Sequence, residues 1–484
     1  MLSRTSIKRN LLAPRTLNIF LIILITIIGA VLRFYKLGAQ SFWYDEASSI
    51  LDARGNLYNI SHPPLSFLIL RIVIETLGTT EFTARLPSCL FGIATIPLIY
   101  LFGKQLFGEK EGLVASFIIS LSPWYIRWSQ EARMYTELTV FTILALYFFY
   151  RAIYKKTLTS YVLSVIFTIL AFYTHYLAIL ILVIIAVWLI SIKFFEKTEI
   201  SINYKYLIIF FALFFIFTLP LFLTIIPQTL TFKIGNTSAR WGLPFHIYFL
   251  MLFEEAFGPT LSLFSIVGAI YLISQRNRAG YLLTVCAVIP VATISLLTFV
   301  TNVVPRYVIF TLPAFALLSS SLIIEIFERI MNNIKENKFH VIMLKNLELN
   351  KFLALGFVFA TAISVINLPA LFEHYTNETH PDWKSACAYV ASAMEPEDLI
   401  ATTGDKAVYY YLGKVDYRLS IEFFEPSVLD KIKNSEEKVW LLIDKSRIQS
   451  IDPDYEFRAW LESDCELMTE PFMIKVYLFT PQSK

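Results

Sequence analysis

The stretch "SFWYDEASSI", residues 41–50, places two adjacent acids, Asp45 and Glu46, directly after a block of aromatic residues. A long apolar run, residues 17–35, precedes it. A carboxylate at the edge of an apolar segment can serve as a general base, because it can take the proton of a hydroxyl group that becomes a nucleophile. Ionisable groups near hydrocarbon are costly and tend to mark function. The pair predicts a reactive site at a membrane edge, with an ordinary solvated loop as the alternative.

Further polar residues stand at the ends of other apolar runs. His62 precedes a double proline, Arg85 opens an apolar run in "ARLPS", and His175 lies in the tight turn of "YTHYLA". The stretches "WSQEARMYTEL" and "VPRYVIF" add Glu131, Arg133, Tyr135 and Arg306. Cations and hydrogen-bond donors gathered on one face suit a reaction with an anionic leaving group. The alternatives are anchoring of arginine and tyrosine to lipid headgroups and a structural role for each histidine.

The composition is that of a polytopic membrane protein. Of its 484 residues, 56% are hydrophobic and only 16% are charged, against roughly 25% charged in a typical soluble domain. Apolar runs of about 17–25 residues match the thickness of a bilayer core. The net charge of +3 gives no indication of nucleic-acid binding. We predict about eleven spans, at 17–35, 86–103, 112–127, 136–152, 158–174, 176–194, 206–227, 259–275, 280–300, 306–327 and 352–371.

The distribution of basic residues predicts the orientation. One set of loops carries 19 Lys and Arg and the opposite set carries seven, in longer loops. Because basic loops stay in the cytoplasm, the N-terminus is predicted to be cytoplasmic, with Asp45 and the C-terminus outside. Residues 62–78 form an apolar segment that is too short for a clear span and contains Arg71 and Glu75. We therefore predict that they form a helix lying in the membrane interface on the outer side. The predicted localisation is the bacterial inner membrane.

The tail, residues 372–484, differs in character. "DWKSACAYVASAM" predicts a helix, and "DLIATTG", "KVWLLID" and "MIKVYLF" predict short apolar strands. A segment of this length can bury a core of its own. We therefore predict an all-α polytopic membrane domain, residues 1–371, with a catalytic outer loop at 36–85. A small C-terminal extracytoplasmic α/β domain, residues 372–484, follows it.

Several motifs in order resemble the C-type (GT-C) membrane glycosyltransferases. They are "FWYDEASS", "HPPLSFLILR", "ARLPSCLFGIATIPLIYLFGKQLFG", "LSPWYIRWSQEARMYTEL", "YTHYLAIL" and "PRYVIFTLPAFALL". The resemblance covers about residues 30–325 and is to the bacterial branch related to protein O-mannosyltransferases and to the lipid A aminoarabinose transferase. The mannosyltransferases carry an aspartate after the arginine of the 128–138 loop, where this chain has Glu131 before the arginine and Glu137 after it.

The resemblance implies an enzyme that takes a sugar from a polyprenyl-phosphate carrier and passes it, with inversion, to an extracytoplasmic acceptor. The acceptor could be a protein hydroxyl, a lipid or a glycan. Asp45 is then the expected base and Glu46 its companion. The residues expected to hold the donor phosphate are His62, Arg85, His175 and Arg306, with Glu131, Arg133 and Tyr135 in support.

Three alternatives stay open at this point. A divalent cation at Asp45, Glu46 and Glu131 is one, since hard cations prefer oxygen ligands. The second is a lipid-carrier transporter or flippase without transferase activity, and the third is a non-catalytic scaffold. The sequence has no HExxH motif, no paired CxxC motif and no glycine-rich phosphate loop, so an activated nucleotide substrate is disfavoured.

Overall fold

The computed structural model describes residues 14–55, 62–195, 202–231, 244–299, 303–336, 368–419, 426–452 and 455–481. The first part of this range is helical. Its helices are α1 (Pro14–Phe34), α2 (Tyr44–Arg54), α3 (Leu65–Leu77), α4 (Glu81–Leu106), α5 (Glu109–Ser120), α6 (Pro123–Ser129), α7 (Tyr135–Lys155), α8 (Leu158–Thr174), α9 (Leu180–Phe195), α10 (Tyr204–Thr231), α11 (Phe245–Met251), α12 (Pro259–Ser274), α13 (Arg278–Leu297) and α14 (Leu312–Glu336). Short 3₁₀ turns, Tyr176–Ile179 and Pro305–Thr311, lead into α9 and α14.

Seven helices of the described residues are long and apolar enough to cross a membrane. They are Thr16–Phe34, Glu81–Leu106, Tyr135–Lys155, Tyr176–Phe194, Tyr204–Thr224, Arg278–Leu297 and Pro305–Ile330. An eighth would be the pair Phe245–Glu254 and Pro259–Ser274, which is bent by 92°. Helix α8 is apolar but has only 17 residues. The described chain therefore contains a multi-span helical domain with fewer full-length spans than the eleven predicted.

The predicted span at 112–127 is wrong, because two helices occupy it. Helix α5 has 12 residues, which is about 18 Å at 1.5 Å per residue and too short for a bilayer core of roughly 30 Å. Helix α6 then restarts at Pro123, and the Ser122 hydroxyl caps it by accepting from the Tyr125 N–H at 3.4 Å. Most of the predicted span at 352–371 lies outside the described residues.

The interfacial segment forms helix α3, whose 13 residues reach about 20 Å. Phe67, Leu70 and Ile74 are buried on one face, whereas Leu68 and Ile72 are exposed. A helix of this length with one apolar exposed face fits a position in the membrane interface. Its placement outside the cytoplasm stays a prediction.

Helices α4 and α5 approach each other at backbone distance. A Cβ atom on Gly103 would lie 2.7 Å from the Gly112 Cα. Only glycine permits this contact, since 2.7 Å is far below an ordinary carbon–carbon separation. The close contact packs the C-terminal part of α4 directly against the first turn of α5.

The tail is an α/β unit, as predicted. Its elements are α15 (Leu368–Thr376), α16 (Trp383–Ala393), β1 (Leu399–Thr402), α17 (Asp405–Leu412), β2 (Tyr417–Arg418), α18 (Pro426–Lys433), β3 (Val439–Asp444), α19 (Lys445–Ile451), α20 (Glu456–Asp464), β4 (Glu466–Thr469) and β5 (Ile474–Phe479). The sheet order is β2-β1-β3-β5-β4, with β1 parallel to β2 and β3, and β5 antiparallel to β3 and β4. The predicted helix is α16, and the predicted strands are β1, β3 and β5. Strands β2 and β4, which are short and not fully buried, were missed.

The tail packs against the start of helix α2. The Phe42 and Tyr410 ring centroids are 5.2 Å apart. The Tyr411 hydroxyl accepts from the Phe42 N–H at 2.9 Å and donates to the Glu81 carboxylate at 3.0 Å. The guanidinium of Arg447 lies 4.4 Å from the centre of the Tyr44 ring. The tail therefore helps to fix the turn that precedes Asp45.

Candidate active site

Adjacent residues of helix α2 point in different directions, and this separates the two acids. Successive side chains on an α-helix are about 100° apart. Glu46 is completely buried, and both of its oxygens bond to Arg85, at 2.7 and 2.8 Å. The same carboxylate accepts from the Ala132 N–H at 2.8 Å. Glu46 thus ties α2 to α4 and to the 129–134 loop, and these contacts do not support the predicted role of Glu46 as a companion of Asp45.

The side chain of Arg85 is fully used inside the protein. A guanidinium group carries five N–H donors. Two of them bond to Glu46, and the others donate to the carbonyl oxygens of Leu37 and Gln40 at 3.0 Å and of Ser41 at 3.2 Å. No donor is left for a phosphate group. We therefore correct the expectation for Arg85: its contacts are those of a structural residue that holds the turn at residues 37–41.

The side chain of Asp45 points away from Arg85 and is accessible to solvent, with 23% of it exposed. One carboxylate oxygen accepts from Arg306 at 2.9 Å. The backbone carbonyl of Asp45 accepts from Arg133 at 3.1 Å. The residue lies in the first turn of α2, where the helix dipole favours a negative charge. The Asp45 carboxylate is therefore ion-paired with Arg306 and partly exposed.

Arg306 is held between two indole rings. Its guanidinium lies 5.5 Å from the Trp43 ring centre and 5.4 Å from that of Trp128. Its Nε–H donates to the Tyr135 hydroxyl at 2.9 Å. An arginine stacked on aromatic faces keeps its donors aligned in one plane. Arg306 is thus aimed at Asp45 and at the space beside it.

Arg133 adds a second positive charge to this cluster. Its Nη1 donates to the Ser49 hydroxyl at 2.8 Å, and its guanidinium lies 5.9 Å from the Tyr135 ring centre. Its buried Nε has no hydrogen-bond partner, and the same holds for the Nε1 atoms of Trp43 and Trp128. Buried donors without partners are costly. Three such donors around two arginines and one carboxylate favour an anionic ligand.

The two predicted histidines lie near this cluster as neutral rings. Burial, with a smaller effect from the charge of Arg133, lowers the pKa of His62 to about 4 despite the opposing effect of Asp45. Burial lowers the pKa of His175 to about 3. The His175 ring lies 5.7 Å from that of Tyr307, and its Nδ1 accepts from the Leu177 N–H at 3.1 Å. In the structure as it stands, neither histidine supplies a positive charge at neutral pH.

Glu131 lies apart from Asp45, at a contact with the tail. Its buried carboxylate is 3.3 Å from the Nε2 of His380 and 3.6 Å from the Nε of Arg127. Burial alone would raise the pKa of Glu131, but the hydrogen bond to His380 and the nearby positive charges lower it to about 2. Sequence reasoning missed His380, because 249 positions separate it from Glu131.

The acids do not assemble into a metal site. Among the described residues, no group of three His, Cys, Asp or Glu side chains could hold a metal ion. Glu46 faces Arg85 and Glu131 faces His380. The alternative of a divalent cation at Asp45, Glu46 and Glu131 is therefore not supported by this arrangement.

The aromatic wall of the site was also missed. Trp43 and Trp128 both lie within stretches singled out from the sequence, but only the fold shows that they flank Arg306. The block of aromatic residues before Asp45 was the available signal, but no role was assigned to its tryptophan. Tyr135, by contrast, was predicted, and it bonds to Arg306.

Comparison with known proteins places the fold. Residues 61–222 match the family model described as dolichyl-phosphate-mannose-protein mannosyltransferase. An uncharacterised protein of Aquifex aeolicus is 29% identical over 152 residues. That match spans 28% of this chain and 30% of that relative, so it informs only a part of either protein.

Two solved structures share the architecture over most of the chain. ArnT from Cupriavidus metallidurans, in the apo state, superposes with a TM-score of 0.66 at 13% identity, covering 96% of this chain and 98% of ArnT. The oligosaccharyltransferase of Archaeoglobus fulgidus gives 0.60 at 11% identity, over 90% of this chain and 71% of that protein. The chain has the fold of the C-type membrane glycosyltransferases, and the resemblance stated from the motifs is confirmed.

Proposed function

We propose that this protein is an inverting glycosyltransferase. It moves a sugar from a polyprenyl-phosphate carrier to a hydroxyl group on the extracytoplasmic side, with Asp45 as the general base. The carrying observation is the ion pair of Asp45 and Arg306, accessible at the membrane edge and enclosed by Trp43 and Trp128. Support also comes from the shared fold, since ArnT has been solved bound to undecaprenyl phosphate and the archaeal enzyme with dolichol phosphate.

The reaction balances with these residues alone. The acceptor oxygen forms a bond to the anomeric carbon, and the bond from that carbon to the phosphate oxygen breaks. The electron pair of the broken bond stays on the phosphate, so the products are the glycosylated acceptor and polyprenyl phosphate. The acceptor's proton passes to the Asp45 carboxylate and from there to solvent.

Arg306 has two partners in this proposal. In the structure its Nη2 donates to one oxygen of the Asp45 carboxylate at 2.9 Å. A donor phosphate beside Asp45 competes for the same guanidinium, since arginine binds phosphate with parallel hydrogen bonds. Binding of the donor therefore frees Asp45 as the leaving group gains its cation. Arg133 and the neutral donors of the indole rings complete the phosphate site.

The test uses the purified protein in lipid nanodiscs, with undecaprenyl-phosphate mannose as the donor probe and a cell-envelope fraction as the acceptor source. Transfer of labelled mannose is expected for the wild type. Asp45→Asn should lower the rate by at least a hundredfold, a loss within the range attributed to general base catalysis. Asp52→Asn, in the same helix, is the matched control and should keep the rate.

Three outcomes separate the alternatives. Wild-type activity in the Asp45→Asn protein would refute the base assignment. Failure of the wild type to transfer sugar from any polyprenyl-phosphate donor tested would refute the proposed function. Movement of the labelled carrier between leaflets of a liposome without transfer would identify a lipid transporter instead.

A further inference from the structure

A second cavity lies on the tail side of the site, outside the cluster around Asp45. It holds about 200 Å³, which is space for several water molecules or one sugar-sized group. Three chain segments form most of its wall: the turn 36–40, the end of α6 with residues 127–131, and the tail segment 374–380. Arg85 of α4 completes the lining. We call this cavity the tail cleft.

The walls of the tail cleft are tied together before any ligand binds. The His374 Nε2 is 2.6 Å from the Gln130 Oε1. The backbone N–H groups of Thr379 and His380 both donate to the Gln40 side-chain oxygen, at 3.0 Å. A cavity whose walls are held by hydrogen bonds needs little ordering when it binds a ligand. The tail cleft is thus a preformed space, although its walls are far apart in sequence.

Two buried polar atoms of residues that line the tail cleft have no hydrogen-bond partner. They are the Oε2 of Glu131 and the Nδ1 of His380. Glu131 is only 2% exposed, and an unpaired carboxylate oxygen at such depth is costly. A carboxylate oxygen accepts hydrogen bonds and cannot donate them. The missing partner of Glu131 is therefore a donor, such as a hydroxyl group.

The charges around the tail cleft argue for a neutral ligand. Lys36, Arg85 and Arg127 contribute positive charge, and Glu131 and Glu378 contribute negative charge. The charge of Arg85 is already paired with Glu46. The Lys36 ammonium already donates to the Tyr375 carbonyl at 2.8 Å, and Arg127 already lies 3.6 Å from Glu131. A phosphate group would meet the Glu131 carboxylate at close range, whereas sugar hydroxyls can bond to both signs of charge.

Trp43 connects the tail cleft to the Asp45 cluster. Its ring lies 5.9 Å from the ring of His380, a residue of the cleft, and 5.5 Å from the Arg306 guanidinium. Arg306 in turn contacts Asp45 at 2.9 Å. A ligand that contacts His380 in the cleft is therefore one residue away from the ring that flanks Arg306.

The geometry points to the tail cleft as the acceptor subsite, which holds a neutral, hydroxyl-bearing glycan end with its hydroxyls on Glu131 and His380. This inference rests on the proposed function and adds the acceptor's chemical class and place. It also gives the tail a role in catalysis, because the tail supplies one wall of the cleft.

The test blocks the cleft in a protein that has already folded. Asn377 lines the cleft and is exposed, so Asn377→Cys can be modified by a bulky maleimide. Cys465 is first replaced by serine, because it is partly exposed while Cys89, Cys286 and Cys387 are buried. Modification should lower mannose transfer to the envelope fraction at least tenfold and leave binding of undecaprenyl phosphate unchanged.

The matched control is Glu373→Cys in the same background. Glu373 is exposed on the neighbouring helix α15 and does not line the cleft, so its modification should change neither quantity. Full transfer by modified Asn377→Cys would overturn the acceptor assignment and leave the proposed function standing. Loss of undecaprenyl phosphate binding would place the donor in the cleft and also overturn it. No transfer by the unmodified wild type would overturn the proposed function and this inference with it.

Discussion

Arg85 gives the sharpest contrast between a structural role and a substrate-binding role. Its side chain is 3% exposed, that of Glu46 is 0% exposed, and two hydrogen bonds join them. Removing one partner of such a buried pair costs about 3–5 kcal/mol, because the other charge is left buried and unpaired. Arg85→Ala also removes the donors to three carbonyl groups of the outer loop. We expect this variant to lose stability first and activity as a consequence.

The assay is thermal unfolding of the purified protein in detergent, followed by fluorescence-detected size exclusion. A loss of 3–5 kcal/mol corresponds to a fall in midpoint on the order of 10 °C, from the usual relation between free energy and melting temperature. The melting midpoint of the Glu46→Ala protein should fall by a similar amount. The double variant Arg85→Ala with Glu46→Ala should lose less than the sum of the two single losses, because no charge is then left unpaired.

Two results would refute this reasoning. One is an Arg85→Ala protein with a wild-type melting midpoint and a raised KM for the polyprenyl-phosphate donor, which would make Arg85 a phosphate ligand. The other is strict additivity of the two single losses in the double variant, which would mean that the pair does not interact energetically. Asp52→Asn, in the same helix as Glu46, serves as the control for a carboxylate without this partner.

Three further predictions concern the buried histidines, Arg306 and the orientation of the protein in the membrane. In the folded protein the pKa values of His62 and His175 are lowered to about 4 and about 3. The two neutral rings therefore contribute fully to stability at pH values above the histidine pKa in the unfolded chain, about 6.5. This contribution should be lost as the pH falls from 6.5 towards 4. The melting midpoint of the wild type should therefore drop between pH 7.5 and pH 5, and that of His62→Gln should drop less. A melting midpoint that does not change over this pH range would contradict the prediction. Arg306→Lys should raise the donor KM about tenfold while Asp45 stays in place, because charge is kept without the paired donors, and an unchanged donor KM would place the phosphate elsewhere. On intact cells, with Cys465 replaced by serine because it is partly exposed, an impermeant thiol reagent should label Glu395→Cys but not Thr157→Cys. The reverse pattern would invert the predicted orientation.

The sequence by itself determined what depends on local pattern. Apolar runs of sufficient length predict helices that cross a membrane, because backbone polar groups must be satisfied internally in hydrocarbon. Period and composition also identified helix α16 and strands β1, β3 and β5 of the tail. The prediction of spans failed where a local capping residue ends one helix and starts another. Ser122 and Pro123 divide the expected span at 112–127 into α5 and α6.

The tertiary structure decided which polar residue does what. Asp45 and Glu46 are neighbours with the same functional group, yet one faces Arg306 and the other is sealed against Arg85. The direction of each side chain depends on how α2 packs between α4 and the tail, and this is set by contacts between residues hundreds of positions apart. The pairing of Glu131 with His380 is of the same kind. A sequence can place charges at a membrane edge, but only the packed fold determines which of them are consumed in holding the structure and which remain for a substrate.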